Sequence, residues 1–224
     1  MRRLIVPLIF GFGGCALLLS LGVWQLKRLE LKAARLATIE ARVGEAAVAL
    51  PPQPDRDADA FLPVIVQGDF DGTDLAVLTS IGRVGAAYRL VAAFETWDGR
   101  RIMIDRGYVP VADTRRTARA EDIEVVGNLH WPDEVDRWTP EPDLKKGIWY
   151  GRDVIAMAEA LNTDPVLIVA REQTPAEPAA TPIPVGTEGI PNNHLGYAIQ
   201  WFGLAIVWAG MTAFLIWRIH RRTV

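Results

Sequence analysis

Two runs of 23 residues without a charge, Leu4 to Leu26 and Leu195 to Trp217, stand at the two ends of this 224-residue chain. A helix rises ~1.5 Å per residue and needs ~20 apolar residues to cross ~30 Å of hydrocarbon, so either run can span a bilayer. All 27 acidic residues but only 19 of the 24 basic ones lie between the runs, which leaves the middle at net −8. Such a segment lacks the basic face that phosphates require, and no nucleic-acid partner is expected. The pattern describes a polar domain tied to a lipid bilayer at both ends.

Two spans put both termini on one side. Arg2, Arg3, Arg218, Arg221 and Arg222 flank the spans there, against Lys27, Arg28, Lys32 and Arg35 just inside the first. Five against four is a narrow margin for the positive-inside tendency, but long loops translocate largely regardless of charge, and the middle is about 168 residues. The termini are expected inside and the middle domain outside. The first run exceeds the 7–15 residues of a signal-peptide core and no A-x-A site follows it, so it reads as an uncleaved anchor. Cys15, the only cysteine, sits within that run as a small apolar residue, with no partner for a disulfide or a metal site.

The second run opens on His194 and carries rings at helical spacing. At ~100° per residue, Tyr197, Trp201, Ala205, Trp208 and Thr212 all fall within about 60° of His194. An interfacial belt accounts for Tyr197 and Trp201. It accounts poorly for Trp208, about 20 Å deeper than His194, where an indole N–H needs a partner. The face has two readings: a wall for a flat apolar cofactor with His194 as ligand, or a seam for another helix.

Between the spans, Gln25 to Val43 places Leu26, Leu29, Ala33, Leu36 and Ile39 three or four apart, as an amphipathic stalk helix does. Gly44 and the prolines Pro51, Pro52 and Pro54 end it. Pro63–Phe70, Leu75–Ser80, Tyr88–Thr96, Arg101–Asp105, Ile123–Leu129 and Val166–Ala170 read as strands, and Asp98-Gly99 predicts a type I′ hairpin turn. Asp153 is placed to cap a short helix running to Asn162. The expected fold is a membrane protein of α+β class: two transmembrane helices at the chain ends flanking a mostly antiparallel β extracytoplasmic domain with one short helix. By segment, this gives a transmembrane helix over 1–26, a stalk over 27–50, the domain over 51–190, the second transmembrane helix over 191–218 and a basic tail over 219–224.

Catalytic signatures are missing from the middle. There is no G-x-S-x-G elbow, glycine-rich phosphate loop, H-E-x-x-H or cysteine outside the first run. His130 beside Trp131-Pro132 reads as a turn residue, His220 as positive flanking, and Asp105-Arg106 as an exposed ion pair. No enzyme activity is expected. A tethered enzyme would require a cleft with clustered titratable groups.

Four stretches together resemble the Surfeit locus protein 1 family of cytochrome c oxidase assembly factors. GVWQLKR is similar to the family's G-x-W-Q-x-x-R at Gly22, Trp24, Gln25 and Arg28. DRGYVP is similar to N-R-G-W-V-P at Arg106, Gly107, Val109 and Pro110, with Asp105 and Tyr108 departing from it. IWYGRDVIAMAEAL resembles the W-Y-x-x-D and helix segment. NNHLGYAIQWF is similar to N-x-H-x-x-Y-A-x-x-W-F at Asn192 or Asn193, His194, Tyr197, Ala198, Trp201 and Phe202.

The resemblance implies a non-catalytic helper in placing haem a into cytochrome c oxidase subunit I, with haem a held transiently and His194 as axial ligand to its iron. Tyr197 and Trp201 would pack on the porphyrin edge, and Asn192 or Asn193 would receive the second nitrogen of His194. Haem a synthase is a further candidate partner. The setting implied is a bacterial cell inner membrane, with both termini cytoplasmic and the domain periplasmic. The alternative is a cofactor-free scaffold that stabilises an oxidase subunit through a partner helix, using Gly203, Gly210, Ala205 and Ala209 as close-approach positions.

Overall fold

The computed structural model describes residues 2–82, 84–113, 117–176, 180–187 and 192–221. Pro191 and Arg222, placed at the mouth of the second span and in its basic flank, lie outside them. The chain forms two units, one of residues 1–38 with 187–224 and one of residues 39–186.

The expected span and stalk are one helix, α1 (Arg2–Val43), which belongs to the first unit through Thr38 and which Gly44 ends as expected. The stalk is therefore shorter than 27–50, and β1 (Val48–Ala49) is already a strand. The second span is α3 (His194–Arg221). Both helices are long and apolar enough to cross a membrane, with mean hydropathies of 2.1 and 1.7 in their most apolar windows. Only 11% and 6% of those windows is buried, so most of their apolar side chains are left uncovered, as in a helix that crosses a bilayer.

The second unit holds β2 (Pro63–Ile81), β3 (Gly85–Thr96), β4 (Arg101–Pro110), β5 (Ala120–Leu129), β6 (Ile148–Trp149), α2 (Val154–Leu161) and β7 (Leu167–Thr174). β2 joins two expected strands through an irregularity between Phe70 and Asp74. It pairs with β3 from Gly68 to Ile81 and with β5 along its first half, Pro63 opposite Asn128. Since β3 pairs with β4, β4 with β7, and β7 with β5, the sheet closes on itself as a five-stranded barrel. Four of the five pairings in the ring are antiparallel and β4–β7 is parallel, in keeping with a mostly antiparallel domain.

Alternation along β4 sorts its side chains. Ile102 and Ile104 enter the barrel with Val64, Phe70, Phe94, Val125 and Ile168. Met103 points out to Val91, Leu167 and the α2 residues Met157 and Leu161. Asp153 caps α2 as expected, accepting from the amides of Ile155 (3.0 Å) and Ala156 (3.1 Å), and Asn162 ends the helix at φ 53°.

The turn at Asp98-Gly99 differs from expectation. A type I′ turn needs positive φ at both positions, and only Gly99 has it, at 86°. Gly99 N–H donates to Thr96 (2.8 Å), making a three-residue loop in which a type I turn is followed by a left-handed glycine. The Thr96 hydroxyl, which hydrogen-bonds Asp98 and the Arg100 carbonyl, favours that form.

Candidate functional site

His194 is the first residue of α3 and is half-buried. Its Nδ1 lies 2.8 Å from Oε1 of Gln25, at the end of the first apolar run. The expected partner, Asn192 or Asn193, does not take this place. Asn193 instead accepts the Tyr197 amide through its backbone carbonyl, and Asn192 Oδ1 is buried with no hydrogen bond among the described residues. Asn192, Asn193, Gly196, Tyr197 and Gln200 line a shallow, open depression of about 360 Å³.

The rest of the aromatic ladder divides. Ala198 and Ala205, 1% and 5% exposed, are the buried positions of α3, and they mark the face turned to α1. Down that seam Phe202 packs on Gly22, Cys15 Sγ lies 3.8 Å from the Ala205 carbonyl, Trp208 covers Gly14, and Thr212 fills the space beside Gly11. A Cβ on any of those three glycines would overlap the facing side chain. The pairing is antiparallel, and small residues permit it by letting the helices approach closely. Trp208 is thus a packing residue. Tyr197, at 51% exposure, is free of the seam, and Trp201 is half-buried. Of the three candidate site residues, Tyr197 borders the depression, His194 stands on the same helical turn without lining it, and Trp201 lies one turn deeper.

The barrel unit holds a second group of functional-looking side chains, and two expectations are corrected there. Asp105 and Arg106 are buried, at 0% and 3% exposure, and are not an exposed ion pair. Asp105 Oδ2 accepts from Arg89 Nε and Arg152 Nη1, both at 2.9 Å, and its Oδ1 accepts from the Gly107 amide at 3.1 Å. Arg152 is also held by Glu134, through Nε at 3.0 Å and through Nη2. The Arg106 guanidinium stacks on Phe70, 4.3 Å from the ring centre.

His130 is half-buried, with its ring 5.4 Å from that of Phe61, and is not an open turn residue. Burial, aided by the Arg152 charge, lowers its pKa to about 4. Burial works against the Glu134 carboxylate, but hydrogen bonds and charge from Arg152 overcome it and hold that pKa below the usual value. An adjoining cleft of about 450 Å³ is lined by Trp131, Pro132, Glu134, Arg152, Asp153 and Pro165 among others. The cleft does bring titratable groups together. Two of them, Glu134 and Arg152, bridge one another, and the His130 imidazole nearby, titrating near 4, is a poor base at neutral pH.

The site residues missed in the sequence were Gln25, Arg89, Glu134 and Arg152. Gln25 stood in the G-x-W-Q-x-x-R stretch without a role, and a glutamine closing an otherwise apolar run was a hint to one, since an amide in a span needs a partner. Nothing local marked the other three.

Two apolar helices at the chain ends, a closed barrel between them in sequence and an imidazole at the head of the second helix define a two-span membrane protein with a large folded domain in its single loop. The family model described as the SURF1 family matches residues 13–206, and the chain belongs to that family. It is similar to Surfeit locus protein 1 of Rattus norvegicus, 29% identical over 83% of this chain and 67% of that one. It is 28% identical to the Homo sapiens protein of the same name, over 83% and 69%. A SURF1-like protein of Rickettsia felis is 28% identical over 93% of both chains.

Proposed function

We propose that this chain is a non-catalytic assembly factor for cytochrome c oxidase that assists insertion of haem a into subunit I, holding haem a transiently at His194. Haem is cargo here, taken up and passed on. The observation that carries the reading is the state of His194 at the head of the second span: one ring nitrogen is engaged by Gln25, and the other has no hydrogen bond among the described residues. Those residues fit the group, since a single imidazole is one recognised way to hold haem iron. Tyr197, exposed beside the recess, and Trp201 would pack on the porphyrin. A single protein ligand suits a carrier that must release what it holds. The mutual pairing of Asp105, Arg89, Arg152 and Glu134 supports the non-catalytic part.

By the same reading the protein sits in a bacterial inner membrane with its termini cytoplasmic and the barrel periplasmic. The cationic end of α3, with Arg218 and Arg221, supports that orientation. Subunit I is the proposed partner, and haem a synthase the proposed donor. In cells lacking the gene, oxidase should carry less haem a. Wild-type protein should restore it and His194→Ala should not, and full restoration by His194→Ala would refute the carrier role.

A second reading, a scaffold without cofactor, is favoured by another feature. Gly203 and Gly210 on α3 have open space where a Cβ would be, while Ala205 is already used against α1. A subunit helix docking there would need no haem, and the two readings part on whether haem copurifies in defined stoichiometry.

A further inference from the structure

We propose that Gln25 is a positioning residue that keeps the side-chain proton of His194 on Nδ1, so that Nε2 presents its lone pair as the iron-binding atom. The inference rests on the haem reading for its ligand and on the helix pair alone for its tautomer.

A carboxamide oxygen carries no proton and can only accept a hydrogen bond. Across the 2.8 Å between Gln25 Oε1 and His194 Nδ1 the proton therefore belongs to the imidazole. In a neutral imidazole with Nδ1 protonated, Nε2 is the unprotonated nitrogen, and only an unprotonated nitrogen can bind a metal. No other hydrogen bond is made by His194 among the described residues, so nothing competes for Nε2. Gln25 is held in place from its own helix, because Gly22, one turn back, seats Phe202 of the opposite helix. The bond also raises the basicity of the ligating nitrogen, the common role of a hydrogen-bond partner behind a metal-bound histidine. Glutamine suits a carrier here. A neutral acceptor orients the ring without the stronger electron donation of a carboxylate, which would tighten the hold on a metal that has to leave.

The test uses the full chain in detergent micelles, with histidine side chains labelled with 15N and the His194 signals assigned by their loss in His194→Ala. Without haem, wild type should show Nδ1 protonated and Nε2 bare. Gln25→Glu, which keeps an acceptor oxygen, should preserve that pattern, and Gln25→Leu should lose it. Titration with ferric haem a, followed by its absorption band, should then show affinity falling about 10–100-fold in Gln25→Leu and recovering in Gln25→Glu. A merely structural role for Gln25 would not move the tautomer. Should Gln25→Leu fail to fold, Gln25→Asn withdraws the oxygen by one methylene and should shift the tautomer in the same direction. A proton on Nε2 in wild type, or an unchanged tautomer in Gln25→Leu or, where that variant does not fold, in Gln25→Asn, would overturn the proposal. Wild type with the assigned tautomer but no haem uptake would instead refute the haem reading, and would leave the Gln25–His194 pairing as a lock between helices.

Discussion

The indole Nε1 of Trp208 donates to the main-chain carbonyl of Phe10 across 3.2 Å, with the ring lying over Gly14. Deep in a span an unpaired N–H is costly, and here the opposite helix supplies the acceptor because Gly14 lets the ring close in.

Substitution at Gly14 should therefore break the pair of helices. Gly14→Leu drives a side chain into the Trp208 indole and should cost about 1–3 kcal/mol by overpacking. Gly13→Leu, where a Cβ meets open space, should cost little. Circular dichroism during titration with a denaturing detergent separates the two. Equal midpoints for both variants would mean that the helices do not pack along this seam.

Asp105 makes a sharper prediction for the barrel. Removing it leaves Arg89 and Arg152 without their shared carboxylate, and breaking a buried pair costs about 3–5 kcal/mol. Asp105→Leu should lose that much in urea unfolding followed by tryptophan fluorescence. Adding Arg152→Met should recover part of the loss, because one uncompensated charge goes with it. Strict additivity would contradict the network.

Acid should weaken the same region through His130. Its imidazole titrates from about 6.5 when unfolded and at about 4 in place. Between those values the unfolded chain takes up a proton that the folded chain refuses, so stability is full above pH 6.5 and falls as the pH drops toward 4. At ~1.4 kcal/mol per pKa unit, the loss reaches at most about 3 kcal/mol. Glu134, held below its ordinary pKa, loses its contribution in the same direction at lower pH. His130→Gln should flatten the upper part of the curve. An unaltered pH profile would show that the ring is solvated.

Gly107 tests how the chain leaves the barrel. At φ 101°, and with the Thr181 carbonyl against it, it has neither the backbone freedom nor the room for a side chain. Residues 180–183 cross β4 here, Tyr108 and Thr181 exchanging backbone hydrogen bonds at 2.8 and 2.9 Å. Gly107→Ala should destabilise by about 1–3 kcal/mol and raise protease cleavage near Thr181. Wild-type resistance in the variant would show that this segment is not pinned.

Local features were legible in the sequence, and long-range ones were not. The spans followed from two uncharged runs, α2 from Asp153, and most strands from alternation. Barrel closure was hidden because it depends on β2 pairing with β5 across some sixty residues and on an irregular stretch, Phe70 to Asp74, that read as a chain break. Asp105 looked exposed because its partners Arg89 and Arg152 are 16 and 47 residues away. His194 was singled out by its place at the mouth of a span. Gln25, 169 residues distant, could be set beside it only by the antiparallel helix pair. Trp208 was right in requiring a partner and wrong as cofactor wall, since periodicity shows which residues share a face and not what covers it.

The absorption spectrum of the full chain, solubilised from cells that make haem a, tests the central proposal most directly. Wild type should carry haem in defined stoichiometry, and His194→Ala should lose the band or shift it, while Trp201→Ala weakens binding only partly. A wild-type protein free of haem, or a His194→Ala spectrum identical to wild type, would contradict it.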